Sequence, residues 1–191
     1  MKLVFATHNE NKIKEVRELI SDKFEILSLN EIGFKDEIIE NKKTIRENSI
    51  EKVKVVKNIT GFDCFADDTG LEVDVLGGKP GVMSKRFAGI NASPEDNIKK
   101  LLKLLENEQN RIAQFKTIIS LNLNGKIRTF EGVCKGSISR KKTGVYGFGY
   151  DPVFIPKDKK NSFAEMSLSE KNLIAHRSIA MNKLIDYLKN I

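Results

Sequence analysis

The chain has no tryptophan, and only four prolines, two histidines and two cysteines among 191 residues. Cys64 and Cys134 are the only cysteines and lie far apart in the sequence, which suggests a reducing compartment, not a disulfide framework. Two histidines with two unpaired cysteines also argue against a zinc site. No apolar run reaches 18 residues, so no membrane span is expected. The N-terminal "MKLVFATHNENK" turns polar at Thr7, too early for the apolar segment of a secretion signal, and a cytoplasmic location is expected. Neither G-x-G-x-x-G nor G-x-x-x-x-G-K-[ST] occurs, which leaves a Rossmann dinucleotide site or a Walker loop unsupported. Internal repeats, low-complexity segments and linkers are missing as well.

What is present is an ordinary globular composition, 40% hydrophobic and 31% charged, at a length that suits a single domain over residues 1–191. The net charge is +7. A basic protein can bind nucleic acid or a smaller polyanion such as a nucleotide. Here the lysines are spread along the chain with acids interleaved, the pattern of a solvated surface, so charge alone decides nothing.

Strand and helix patterns alternate. "KLVFAT" (2–7) reads as a strand, followed by a helix with Ile13, Val16, Leu19 and Ile20 on one face. "FEILSL" (24–29) is a second strand. Thr44 with Glu47 forms a capping box for a helix that places Ile50, Val53, Val56 and Ile59 inside. "FDCFA" (62–66) and "LEVDVL" (71–76) read as two strands. Ser93-Pro94 opens a helix with Ile98, Leu101, Leu102 and Leu105 on its apolar face. Asn124-Gly125 marks a hairpin, "DPVFIP" a short strand, and a last helix carries Ile179, Leu184, Ile185 and Leu188. This order predicts an α/β fold with a mixed sheet flanked by helices.

Four stretches stand out. "FADDTGLE" (65–72) sets two like charges side by side where the pattern predicts a strand end; both are solvated there, or a cation relieves them. In "ATHNENK" (6–12) a strand meets a helix start. Exposed N–H groups, the helix dipole, Thr7, Asn9 and Lys12 suit an anion, while plain capping by Asn9 explains the same residues. "LGGKPGVMSKRFAG" (76–89) and "GVYGFGYDP" (144–152) combine glycines with basic or aromatic residues. Such segments let backbone approach a ligand and offer flat faces to a ring.

"FATHNENKIKEV", "FADDTGLEVDVLGGKPGVMSKRFAG", "GFGYDPVF" and "SEKNLIAHRSIAMNKL" together, in this order, resemble the inosine triphosphate pyrophosphatase family. These Ham1-like enzymes hydrolyse non-canonical purine nucleoside triphosphates. The resemblance runs from residue 1 to the last helix. It implies an elongated mixed sheet with two lobes and a central active-site cleft. It implies contacts to the triphosphate from Thr7, His8, Asn9, Glu10, Asn11 and Lys12, with His8 standing where bacterial relatives usually carry glycine. It further implies that Lys52 contacts phosphate, that Glu40 and Asp68 hold Mg²⁺, that Asp68 is the catalytic group, and that the Thr69 hydroxyl beside it contacts the substrate. Phe148, Gly149, Tyr150 and Asp151 are expected around the purine, with Lys171, His176 and Arg177 also on substrate positions. Lys12 and Lys52 are expected on exposed helix faces. The products would be a nucleoside monophosphate and pyrophosphate, and the assembly a homodimer acting on free nucleotides without stable nucleic-acid binding. Two rivals stay open: a Maf-like pyrophosphatase for other modified nucleotides, and a basic nucleic-acid-binding protein.

Overall fold

The computed structural model describes residues 1–20 and 24–191. Its elements follow the sequence signals closely where those signals are chemical. Strand β1 is Lys2–Phe5 and helix α1 Glu10–Leu19, capped by the Asn9 side chain, which accepts from the N–H groups of Asn11 and Lys12. Strand β2 is Glu25–Ser28. Helix α2, Ile45–Thr60, carries the reciprocal Thr44–Glu47 capping box and ends on Gly61 in a left-handed conformation. Helix α3, Pro94–Leu104, starts on a second capping box, Ser93 with Asp96. Strands β5 (Ile112–Leu123) and β6 (Lys126–Ile138) flank Asn124 and Gly125, both at positive φ as a tight hairpin turn requires.

One reading of the sequence is corrected. The two strands expected on either side of "DDTG" are one strand, β3, Cys64–Val73. Both aspartates therefore lie inside a strand and not at its end. The remainder is a two-residue strand β4 (Pro80–Gly81), a 3₁₀ turn at Asp151–Val153 leading into β7 (Phe154–Pro156), a short helix α4 (Leu168–Asn172) and the last helix α5 (His176–Lys189). β4 and α4 are too short to show a period. Ile59 was expected inside and is 62% exposed, while Val53 and Val56 are fully buried.

The strand order is β2-β1-β3-β5-β6-β7, with β4 paired to β3. β1 runs parallel to β2 and β3, whereas β3–β4 and β6–β7 are antiparallel, so the sheet is mixed. The chain forms two compact units. Unit 1 comprises Met1–Asp68, Thr117–Gly132 and Arg177–Ile191; unit 2 comprises Thr69–Lys116 and Val133–His176.

Unit 1 has a core on each face of its strands. On one face Leu3, Phe5, Phe65, Ile119 and Leu121 pack against Ile13 and Val16 of α1 and Ala180, Met181, Leu184, Ile185 and Leu188 of α5. On the other, Val4, Ala6, Cys64 and Ala66 pack against Val53 and Val56 of α2, with Leu29 and Phe34. The alternation is that of any strand buried on both faces. Unit 2 is built on Leu71, Val73, Ile98, Leu101, Phe115, Phe154 and Phe163. Its rings pack at centroid distances of 4.7 Å (Phe115–Phe154) and 5.2 Å (Phe154–Phe163).

Candidate active site

Period-two alternation carries past the apolar part of β3 into the aspartates. Cys64 and Ala66 face α2, and Phe65 faces α1 and α5. Asp67 continues the Phe65 row and Asp68 the Ala66 row. The partners agree. Asp67 accepts from Lys12 of α1 (2.8 Å) and from Arg177 Nε of α5 (2.9 Å). Asp68 accepts from Asn48 of α2 (3.1 Å) and lies 3.7 Å from the Lys52 ammonium of the same helix. Successive carboxylates thus point to opposite faces, and separate cations neutralise each. Positive neighbours relieve the doublet, as expected, and strand alternation divides them between the two faces.

The two settings differ electrically. Burial pushes the Asp67 carboxyl up, but Lys12, Arg177 and Lys52 outweigh it and hold Asp67 below the usual carboxylate range. Burial also raises Asp68; Lys52 opposes this, the neighbouring Glu40 charge adds to it, and the net shift is upward. Asp67 is locked as an anion, while Asp68 binds a proton more readily than a free aspartate.

Both lysines were expected on exposed faces, and the structure corrects this. Lys52 is 5% exposed and donates to Glu40 and to the Asp67 carbonyl (2.8 Å). Attraction to Asp68 and Glu40 raises its pKa in spite of burial. The Lys12 side chain is 15% exposed, and burial lowers its pKa against the pull of Asp67. Lys52 and Asn48 stand one turn apart on α2, as residues four apart on one helix face must.

Around the turn before α1, Thr7 Oγ1 accepts from the Asn9 N–H (3.2 Å). Asn9 caps the helix through its amide oxygen, so its NH₂ is the group that can meet an anion. Asn11 supplies a backbone N–H to the cap. The Glu10 carboxylate accepts from Asn30 (3.0 Å), and His8 contacts Asn30 and the Asp36 carbonyl.

Arg177 was expected at the base end, with His176. Instead it sits among acids of unit 1, its Nη1 donating to Glu15 of α1 and its Nε to Asp67. Glu15 is 4% exposed and escaped the sequence reading. Its signal was there: it lies three residues after Lys12, on the same helix face.

Unit 2 holds a second cluster. Asp151 Oδ2 accepts from the Phe148 N–H (2.8 Å) and from the Lys171 ammonium (2.6 Å). Lys171 lies over the rings of Phe148 (5.1 Å) and Phe163 (5.3 Å), a cation–π geometry. Tyr150 is buried and donates its hydroxyl to the Ser84 carbonyl (2.9 Å). His176 stacks on Phe115 at 4.6 Å. Gly147, at φ +74°, is what lets Asp151 into place, since a Cβ there would meet Asp151 Oδ2 at 2.1 Å. Gly149 lies in the same loop, and Thr69 follows Asp68 along β3 as the first residue of unit 2. Phe115 and Phe163 are core rings of unit 2 that pack against His176 and Lys171, and nothing in their sequence setting singles them out from other core phenylalanines.

Among the described residues, no group of three or more acidic, histidine or cysteine side chains forms a metal cage. Glu40 and Asp68 do meet on one ammonium, that of Lys52. Two carboxylates are what Mg²⁺ takes when phosphate oxygens and water complete its shell, so the donor set fits.

The model of the Ham1 family matches residues 3–187. The chain belongs to the Ham1 family. A dITP/XTP pyrophosphatase from Christiangramia forsetii is 52% identical over 188 residues, covering 98% of this chain and 99% of its own length. One from Bacillus subtilis is 42% identical over 191 residues, covering 97% and 96%. A HAM1 protein from Coxiella burnetii matches at TM-score 0.92 and 35% identity over the full length of both chains. The Staphylococcus aureus Ham1 protein matches at 0.90 and 34%, over 100% and 99%. The α/β fold with a mixed sheet is therefore that of the Ham1 family. Among the described residues no helix is long and apolar enough to cross a membrane.

Proposed function

We propose that this chain hydrolyses non-canonical purine nucleoside triphosphates, ITP, dITP, XTP and dXTP, to the nucleoside monophosphate and pyrophosphate. The observation that carries this is the division of labour in the "DD" doublet, within a family whose similar members are named dITP/XTP pyrophosphatases. Asp67 fixes Lys12 and Arg177. Asp68 orients a water onto the α-phosphorus and takes its proton. Lys12 uses one of its three N–H donors on Asp67, and with Lys52, Thr7 and the Asn9 NH₂ it binds phosphate oxygens. Glu40 and Asp68 would hold Mg²⁺, which when bound neutralises charge on the phosphates. At the base end Phe148 offers a stacking face. Lys171 and Asp151 hold the loop 147–151 around it, with His176 also on that side. A cytoplasmic homodimer is our expectation from the family resemblance, and light scattering reads its mass.

The test is pyrophosphate release from ITP, dITP, XTP, dUTP and the four normal triphosphates. Strong preference for the first three is expected. A 6-keto acceptor and a protonated N1 distinguish them from adenine, and unmatched buried donors can cost up to about 10⁴-fold in kcat/KM. Equal hydrolysis of ATP and ITP would overturn the house-cleaning reading. Reaction in ¹⁸O water should label the monophosphate; label in pyrophosphate alone would mean attack at the β-phosphorus.

A further inference from the structure

The contacts of His8 in the turn before α1 assign it a task of its own. Its Nδ1 lies 2.9 Å from Asn30 Oδ1 and its Nε2 3.1 Å from the Asp36 carbonyl oxygen. The Asn30 amide is oriented by Glu10, since its NH₂ donates to that carboxylate at 3.0 Å. Turning the amide over would set its oxygen against a carboxylate. Asn30 therefore shows His8 an acceptor, and the Asp36 carbonyl is an acceptor by nature. Both ring nitrogens must donate. Neutral imidazole has one N–H; only the imidazolium has two. Phe34 packs beside the ring, with centroids 6.3 Å apart, and its own side chain is buried.

We propose that His8 is a positioning residue whose doubly protonated ring clamps the turn 30–36 to the anion-binding turn 7–12, so that affinity for the triphosphate falls when the ring loses its second proton. The coupling is short. Glu10 joins Asn30 to the first turn of α1, one residue from the Asn9 cap and two from Lys12. A closed clamp holds the Asn9 NH₂ and the Lys12 ammonium where phosphate meets them; an open one lets the turn swing. The charged groups on the surrounding segments are Glu10 and Lys12 on one side and Glu31, Lys35, Asp36 and Glu37 on the other. Glu31 is already paired with Arg17 at 2.7 Å and accepts from the Ser28 N–H. Loss of one partly exposed hydrogen bond to a charged group predicts a KM rise of roughly three- to tenfold, with kcat unchanged.

This proposal rests on the reading of residues 7–12 as a phosphate site, and its test separates the two. Ring ¹⁵N shifts of the free protein follow the protonation of His8, told from His176, the only other histidine, by the spectrum of His8→Gln. Amide hydrogen exchange over 30–36 follows the clamp in the same samples. KM for ITP is measured across the same pH range. We expect the second ring N–H, the protection of 30–36 and the low KM to disappear with one midpoint. His8→Gln, whose amide has a single donor-bearing nitrogen, should hold the high KM at every pH. A neutral ring while 30–36 is protected, or a KM step that persists in His8→Gln, overturns the proposal. If ITP is not bound at all, the phosphate reading falls, and the ring and exchange data on the free protein still decide the clamp.

Discussion

Each unit buries a carboxylate–ammonium pair, and the two are built from opposite materials. In unit 1 Asp67 sits among Lys12, Arg177 and Glu15, a network of charges on strand β3 and helices α1 and α5. In unit 2 the Asp151–Lys171 pair, with both side chains 4% exposed, sits under Phe148 and Phe163. A network of charges in a protein interior costs desolvation energy that only complete pairing offsets. A single pair among aromatic rings still shields its ions, and it leaves flat apolar surface in place. The first arrangement suits a polyanion, whose phosphates meet preoriented donors. The second suits a heterocycle, which needs a face to stack on and a few fixed polar atoms.

Breaking the charged region should give the largest effects, and of two kinds. Asp68→Asn should lower kcat by about two orders of magnitude or more while the protein folds and binds nucleotide, because a proton acceptor is lost. Asp67→Asn should instead unfold readily. It leaves buried Arg177 and Lys12 short of a partner, which costs about 3 kcal/mol or more. Pyrophosphate release and urea unfolding, run on both variants, read the contrast. Identical profiles for the two neighbours would sink the assignment of separate faces. In the same region Lys52→Ala should now cost stability as well as turnover, since Lys52 is the common partner of Glu40 and Asp68.

Disturbing the aromatic region should act on binding. Phe148→Ala should raise KM for all purine triphosphates by the loss of one stacking face, about 1–3 kcal/mol, with kcat little changed. Gly147→Ala should reproduce much of that effect from a residue with no ring. Its Cβ would displace Asp151 from the Phe148 N–H, and the left-handed φ adds strain. Steady-state kinetics on ITP and XTP separates KM from kcat. A Gly147→Ala enzyme with unchanged KM would show that the loop tolerates a moved Asp151.

How much of this was legible beforehand follows from range. Local chemistry was readable: the capping boxes at Thr44 and Ser93, the Asn-Gly hairpin and the apolar stripes of α1 and α3 are each written within a few residues. The single strand through "DDTG" was not, because two charges and a glycine read as a turn unless burial on both faces is known. The burial of Lys52 was equally hidden, since a helix lysine looks solvated until Glu40 and Asp68 are brought to it from 12 and 16 positions away. Resemblance supplied most candidate site residues by name. It did not supply which side of the strand each aspartate faces, nor the place of Arg177 among acids of unit 1, nor Glu15.

The smallest effect sharpens the comparison through one cysteine in each unit. Burial pushes the Cys64 thiol up to about 12 and the Cys134 thiol up to about 11. Each is far above the range near 8.5 of an exposed thiol. The sign follows from proton counts. Between about pH 9 and the raised values the folded chain keeps each thiol proton while the unfolded chain has lost it, so stability falls as pH rises. Below about pH 8 both states keep the thiol protons, and neither cysteine contributes a pH dependence. Each thiol contributes a slope of roughly 1.4 kcal/mol per pH unit within its window. Urea unfolding from about pH 8 to 10.5 should show this decline. Cys64→Ala, which removes a group packed beside Val53 of α2, should lower stability at pH 8 by about 1 kcal/mol and flatten the alkaline slope by one proton. Cys134→Ala should do the same for unit 2 over a window that closes sooner. Lys171, the same lysine that pairs with Asp151, draws the Cys134 thiol back down. A Cys64→Ala slope equal to wild type would mean that the buried thiol ionises in the folded chain, and that the α2 face of β3 admits more water than its packing implies.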